Sequence, residues 1–140
     1  EEIFYKHDIP FSILMNDDCY WGKGEYEVSY FIENDPFDFW ATTHQWCNFI
    51  LPKATYVQVG PFDEQMFNYF SDDDYRYRMK LDGMYAMSSK FMDPIEFMKS
   101  QSIAKDPSLN LDFDATRNYY IKKWGSIPGE ERFKKPFNKK

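Results

Sequence analysis

The residues best suited to chemistry are three consecutive aspartates, Asp72, Asp73 and Asp74, with aromatic side chains on both sides. Aromatic neighbours partly desolvate a carboxylate, which raises its proton affinity and suits it to act as a general base. Acidic residues are also common in the first turn of an ordinary helix, where the helix dipole and the free backbone amides stabilise them. The spacing alone therefore leaves a catalytic and a purely structural interpretation open.

The acidic run depends on the elements around it for its position. It begins a predicted helix, 72–81, that Gly83 closes, and residues 63–70 are expected to form a helical turn or two before it. Apolar segments rich in β-branched and aromatic residues predict strands at 11–15, 26–32, 46–51 and 84–89.

Three further helices are predicted from start and stop signals. A short one, 53–57, follows Pro52 and stops before Gly60. The second starts at Asp93, which can cap it, and runs to about residue 104. The third covers 114–124 and ends at Gly125. This order predicts an α/β or α+β fold, with helices packed on a small mixed sheet of three or four strands, in a single domain over residues 1–140.

The composition excludes some classes of function. A formal net charge of −6 argues against nucleic acid as the main partner, because phosphate backbones need a concentrated basic face. The two cysteines, Cys19 and Cys47, have no paired metal-ligand spacing, so a reducing cytoplasm is the default location. No apolar run approaches the roughly 20 residues of a membrane-spanning helix. The 14 Phe, 11 Tyr and 4 Trp exceed what a small core usually takes. Such rings occur in cores, at interfaces and as stacking platforms for sugars, and composition alone does not choose among these uses.

Three phrases around the acidic run occur in a fixed order. They are WCNFILPK at 46–53, VQVGPFDE at 57–64 and YFSDDDYRYR at 69–78, followed by Gly83. This segment resembles the second half of a family-2 glycosyltransferase of the GT-A fold, in which a VGxFDE phrase leads through an aromatic step to an (E/S)DxDxxxR phrase. More loosely, RNYYIKKWG at 117–125 resembles the tail of some of these enzymes, although a core helix closed by glycine has the same pattern.

The resemblance implies a role for each matching residue. Asp72 would be the general base that deprotonates the acceptor hydroxyl for in-line attack on the anomeric carbon, with inversion of configuration. On the substrate side, Asp74 and Arg78 would hold the helix start and nearby loops in place. The candidates for the acceptor wall are aromatic: Trp46, Tyr69 and Phe70. Core packing explains these rings equally well.

The donor side of such an enzyme is largely missing from the sequence. Family members hold a divalent cation, Mn²⁺ or Mg²⁺, on the donor pyrophosphate through an acidic group at a strand end. Asp17 and Asp18, after the strand at 11–15, fit that position, and Asp18 is the candidate metal ligand, although a turn between strands also explains them. The late histidine ligand of many members has no counterpart, since no histidine follows His44.

These departures lead to two hypotheses. The first is a partial hexosyltransferase that binds a nucleotide-sugar and a carbohydrate acceptor and is either truncated from a longer gene or completed by another chain. The uncovered sheet edge of such a half-domain favours a homodimer. The second hypothesis is a non-catalytic carbohydrate- or protein-binding module derived from the same fold. An Asp72→Asn substitution separates them, because it abolishes turnover only if Asp72 is a base.

Overall fold

The computed structural model describes residues 6–15, 19–21, 39–41, 48–66, 69–84, 86–88, 95–97 and 112–140. They belong to two compact units, the first made of residues 1–61 and 82–100 and the second of residues 62–81 and 101–140. The described chain mixes helices with small sheets, as an α+β fold does. None of the helices in these ranges is long and apolar enough to cross a membrane.

The first unit contains a mixed four-stranded sheet. Its strands are β1 (Phe11–Met15), β3 (Phe39–Ala41), β4 (Asn48–Pro52) and β5 (Ala86–Ser88), in the order β1-β4-β3-β5. β4 pairs antiparallel with β1, placing Phe11 opposite Pro52, and antiparallel with β3, while β3 and β5 are parallel. The predicted mixed sheet is therefore confirmed, and β1 has the predicted limits. The strand expected at 26–32 lies outside the described residues.

A second, two-stranded sheet corrects one of the predicted helices. β2 (Cys19–Trp21) pairs antiparallel with β6 (Ile95–Phe97), so Cys19 lies opposite Phe97. The helix expected from Asp93 to about residue 104 is wrong over β6. A capping signal is a local preference of about 1 kcal/mol, and a β-branched and an aromatic residue that find a strand partner outweigh it.

A short helix follows the sheet directly. α1 (Lys53–Val59) begins after Pro52, whose extended backbone serves both as the end of β4 and as the residue before the helix. Gly60 ends the helix with φ of 86° and donates its amide to the Tyr56 carbonyl. The sequence predicted the position of this helix, but placed its end at residue 57.

The second unit has two main helices and a folded C-terminal segment. α2 (Ser71–Leu81) and α3 (Phe113–Trp124) agree with the predicted helices to within one residue at each end. Upstream of α2, the Met66 amide donates to the Asp63 carbonyl and closes a single turn. A short 3₁₀ helix, Pro136–Asn138, lies near the C-terminus.

The core of the second unit is aromatic. One cluster of buried residues consists of Met66, Tyr77, Tyr120 and Trp124, with Phe70 and Tyr119 packed against it. Gly125 ends α3 with φ of 83°, and a Cβ at this position would lie 3.0 Å from the Phe133 ring. Both the left-handed backbone and the close ring require glycine, which fixes the chain direction after α3.

Candidate functional site

The start of α2 holds most of the predicted site residues. Phe70, just before the helix, has φ of 65°, a conformation that non-glycine residues adopt at a cost of about 1–3 kcal/mol. Its carbonyl accepts the first helical hydrogen bond from the Asp74 amide at 2.9 Å. Asp72 and Asp73 are partly exposed in the first turn, whereas Asp74 is completely buried.

Asp74 is surrounded by hydrogen-bond donors. Arg78 Nε donates to Asp74 Oδ2 at 2.9 Å, and Trp124 Nε1 donates to Asp74 Oδ1 at 2.7 Å. The ammonium of Lys123 lies 2.6 Å from the same Oδ1. Two cations and an indole N–H thus compensate a carboxylate that would be very costly to bury alone.

The same lysine holds a second carboxylate. Lys123 Nζ donates to Asp63 Oδ2 at 2.6 Å, and Tyr119 donates its hydroxyl to that oxygen at 3.1 Å. The Gln65 amide donates to Asp63 Oδ1 at 3.0 Å. Burial acts to raise the pKa of Asp63, but these hydrogen bonds outweigh it and hold the pKa below the ordinary aspartate value. Burial, together with the Asp63 carboxylate, raises the pKa of Tyr119 to about 12.

The outer side of the first turn is electrostatically different. Asp73 pairs with Arg76 at 2.9 Å, with both side chains partly open to solvent. Burial, followed by the nearby Asp72 and Glu131 carboxylates, raises the pKa of Asp73 despite the attraction of Arg76. The outer side of the turn, with Asp72 and Asp73 near Glu131, therefore has an excess of negative charge. On the inner side, Lys123 and Arg78 neutralise the carboxylates of Asp63 and Asp74.

A cleft lies in front of the helix start. It has a volume of about 460 Å³ and is lined by Phe62, Asp63, Glu64, Met66 and Ser71. Phe62 stacks on Tyr75 with ring centroids 4.3 Å apart and an interplanar angle of 22°, which fixes its ring. The volume falls within the range of small-ligand pockets, and carboxylates beside an aromatic ring can bind the hydroxyls and the apolar face of a sugar.

The aromatic candidates for the acceptor wall form a cluster next to α2. Tyr69 and Phe70 contact the Phe113 ring, with centroids at 5.0 Å and 5.4 Å. Phe70 also contacts buried Tyr120 at 5.7 Å, so its ring belongs partly to the core. Phe113 is 38% exposed, which leaves one edge of the cluster open to solvent.

The C-terminal segment is attached to α2 and α3 by polar contacts. Tyr120 donates its hydroxyl to Glu131 at 2.6 Å, and Tyr77 donates its hydroxyl to the Phe133 carbonyl at 3.0 Å. Burial acts to raise the pKa of Glu131, but the bonds from Tyr120 and the Gly129 amide keep it low. Burial and Glu131 together raise the pKa of Tyr120 far above that of free tyrosine.

The structure describes some of the predicted site residues and not others. Five of them lie within or just before α2: Tyr69, Phe70, Asp72, Asp74 and Arg78. The candidate metal ligand and one candidate wall residue, Asp18 and Trp46, lie outside the described residues. Across the ranges that the structure describes, no group of histidine, cysteine and acidic side chains has the geometry to hold a metal ion.

Sequence reasoning missed Lys123, which the structure places at the centre of the site. One signal could have found it. Thr116, Tyr120, Lys123 and Trp124 follow each other at helical spacing, so this lysine faces the core on the same side of α3 as buried residues. A lysine in such a stripe must find a carboxylate, because an unpaired buried ammonium is too costly.

The position of each carboxylate suggests what it can do. Asp63 and Asp74 are held by cations, whereas Asp72 is the partly exposed acid next to Ser71, which lines the cleft.

Comparison of the chain with known protein families, with curated proteins and with solved structures found no match.

Proposed function

We propose that the chain forms the acceptor-side part of an inverting glycosyltransferase in which Asp72 is the general base. The observation that carries this proposal is that the carboxylates at the start of α2 differ in burial and in ion pairing. Asp74 is fully buried and neutralised by Lys123 and Arg78, so it cannot take a proton from a substrate. Asp72 remains partly exposed beside the residue that lines the cleft.

The proposed reaction uses this carboxylate in one step. Asp72 accepts the proton of an acceptor sugar hydroxyl as the hydroxyl oxygen attacks the anomeric carbon of a nucleotide-sugar. The new glycosidic C–O bond forms while the bond from that carbon to the nucleoside diphosphate breaks, and the diphosphate leaves with the bonding electrons. In-line attack inverts the anomeric configuration. A positioned general base of this kind accelerates a reaction by about 10²–10⁴-fold.

The cleft supports a carbohydrate acceptor as the ligand. Asp63 and Glu64 provide carboxylate oxygens that can accept hydrogen bonds from sugar hydroxyls, and Phe62 provides an aromatic ring. Its stacking on Tyr75 keeps this ring in one orientation, which lowers the entropic cost of binding. The order of the VQVGPFDE and YFSDDDYRYR phrases supports the same assignment, since both line or border the cleft.

The donor half remains part of the proposal. A divalent cation would neutralise the pyrophosphate of the donor, and Asp18 is the residue of this sequence proposed to bind it.

The test compares two neighbouring aspartates. Transfer from UDP- and GDP-hexoses to a panel of oligosaccharides is measured for the protein in the presence of Mn²⁺ or Mg²⁺. Asp72→Asn is expected to lower kcat by about 10²–10⁴-fold with little change in the acceptor KM, because the substitution removes a base but keeps the shape. Asp73→Asn is the matched control and should retain most of the activity.

Two results would overturn the proposal. One is full activity of Asp72→Asn with a folded protein. The other is saturable oligosaccharide binding by the chain, unaffected by Asp72→Asn, with no transfer from any donor. The second result would favour a non-catalytic carbohydrate-binding module.

A further inference from the structure

Lys123 connects two segments that line the cleft. They are the turn at 62–66, which includes Asp63, and the start of α2, which includes Ser71, and we refer to these two segments as the walls of the cleft. Lys123 Nζ lies 2.6 Å from Asp63 Oδ2 and 2.6 Å from Asp74 Oδ1, so a single ammonium contacts one carboxylate from each wall. The lysine is only 5% exposed and comes from a third element, α3.

We propose that Lys123 is a positioning residue that sets the separation of the two cleft walls and thereby the place of Asp72 relative to a bound acceptor. This inference rests on the proposed function. Asp72 lies between Ser71, which lines the cleft, and Asp74, which Lys123 holds. A displacement of Asp74 therefore moves Asp72, and a misplacement of about 1 Å can lower the rate of a reaction about 10²-fold.

The charges show why a cation is needed at this position. The cluster contains two carboxylates, Asp63 and Asp74, and two cations, Lys123 and Arg78, so its formal charges balance. Arg78 contacts the other oxygen of Asp74 and lies four residues along the same helix, so its bond to Asp74 does not connect the walls. Without Lys123, the carboxylates of Asp63 and Asp74 would repel each other in a poorly solvated place.

The support for Lys123 is itself rigid. Trp124, the next residue, is 1% exposed and donates its indole N–H to the oxygen of Asp74 that faces Lys123. Tyr120, one turn earlier, is completely buried, and Gly125 ends the helix. Because the backbone on both sides is fixed by core packing, the ammonium has a defined position from which to hold the two carboxylates.

The experiment uses three variants of the whole chain. Lys123→Met removes the charge but keeps the length of the side chain, and Lys123→Arg keeps the charge. Lys122→Met is the matched control, because Lys122 is exposed on the same turn of α3. The first readout is the ¹H–¹⁵N NMR spectrum of the chain without ligand, followed at the Gln65 and Ser71 amides and at the Trp124 indole.

The expected spectra are specific. Lys123→Met should shift all three signals, because Gln65 donates to Asp63, Ser71 begins α2 and Trp124 donates to Asp74. Lys123→Arg should return them toward the wild-type positions, and Lys122→Met should leave them unchanged. Unshifted Gln65 and Ser71 signals in Lys123→Met would show that Lys123 does not set the walls. If Lys123→Met does not fold, Asp63→Asn is the replacement, since it removes the charge that Lys123 pairs with on one wall only. For this variant the Ser71 and Trp124 signals decide, because Gln65 itself donates to Asp63.

The second readout is transfer activity in the assay of the proposed function. Lys123→Met should lower kcat by about 10–100-fold, with a smaller change in the acceptor KM and with partial recovery in Lys123→Arg. Wild-type kcat in a variant whose wall signals have moved would overturn the positioning role. If the wild-type chain transfers no sugar, the proposed function and the effect on Asp72 both fail, while the spectra still decide whether Lys123 connects the walls.

Discussion

Helix α2 carries two similar ion pairs on its two faces. On the inner face, Arg78 Nε lies 2.9 Å from Asp74, and the two side chains are 18% and 0% exposed. On the outer face, Arg76 lies 2.9 Å from Asp73, and the side chains are 47% and 26% exposed. The two ion pairs thus have the same N–O distance but differ greatly in solvent exposure. An exposed pair contributes about 0–1 kcal/mol, but removing one partner of a buried pair costs about 3–5 kcal/mol.

The pKa values of two aspartates, Asp63 in the inner cluster and Asp73 on the outer face of α2, shift in opposite directions. Hydrogen bonds hold the pKa of Asp63, in the inner cluster, below its ordinary value even though burial opposes them. On the outer face, burial and the neighbouring carboxylates raise the pKa of Asp73. The inner cluster thus favours the ionised form of Asp63, whereas the surroundings of Asp73 on the outer face favour its protonated form.

The largest expected effect is that of Asp74→Asn. The amide keeps the volume of the carboxylate, but its NH₂ group must face one of the donors Arg78, Lys123 or Trp124, and two cations lose their counter-charge. We expect the free energy of unfolding to fall by about 3–5 kcal/mol. The measurement is urea denaturation followed by circular dichroism at neutral pH.

The matched control is Asp72→Asn, the same chemical change two residues earlier. Because Asp72 is partly exposed, its effect on the free energy of unfolding should stay within about 0.5 kcal/mol. Equal destabilisation by the two substitutions would mean that the faces of α2 do not differ in the way that the burial of Asp74 indicates.

The sequence predicted the helices of this site well because their signals are local. α2 and α3 each combine apolar residues at helical spacing with a glycine at the end, and the predicted limits differ from the structure by one residue. The pairing of β2 with β6 was missed, since strand partners far apart in sequence depend on tertiary contacts that local patterns do not contain.

The site was predicted only in part for a related reason. The motif at 69–78 located the acidic turn, and Asp74 and Arg78 were expected to hold the helix start in place. Which donors reach Asp74 could not be predicted, because Lys123 and Trp124 come from a helix about fifty residues later. The catalytic role of Asp72 stays a prediction.

The second prediction uses the pH dependence of stability to distinguish the inner cluster, through Asp63, from the outer face of α2, through Asp73. The folded-state pKa of Asp63 lies below its unfolded value, so its contribution to stability is present above the ordinary aspartate pKa of 3.8 and is lost as the pH falls through the folded-state value. The Asp63→Asn variant should therefore be less stable than the wild type by about 1–2 kcal/mol at pH 6, and this difference should shrink below pH 3.

For Asp73→Asn we expect a stability difference of the opposite sign. The folded-state pKa of Asp73 is raised, so its ionisation disfavours the folded state, and the penalty appears as the pH rises through the unfolded value toward the folded one. Relative to the wild type, this variant should gain stability between pH 3 and pH 6. Urea unfolding at both pH values measures both variants, and parallel pH profiles for the two would contradict the distinction between the faces.

The smallest expected effect is that of Arg76→Ala on the outer face. Its ion pair with Asp73 is half exposed, and alanine has a higher helix propensity than arginine, so the free energy of unfolding should change by less than about 0.5 kcal/mol. The measurement is urea unfolding at 0.1 M and 1 M NaCl. The Debye length falls from about 10 Å to about 3 Å over this range, so any effect should nearly vanish at high salt. A loss above about 1 kcal/mol that persists at 1 M salt would show that the outer pair is as strongly coupled to the fold as Asp74 and Arg78. In that case the charge of the outer turn would have a structural role, as the inner pair has.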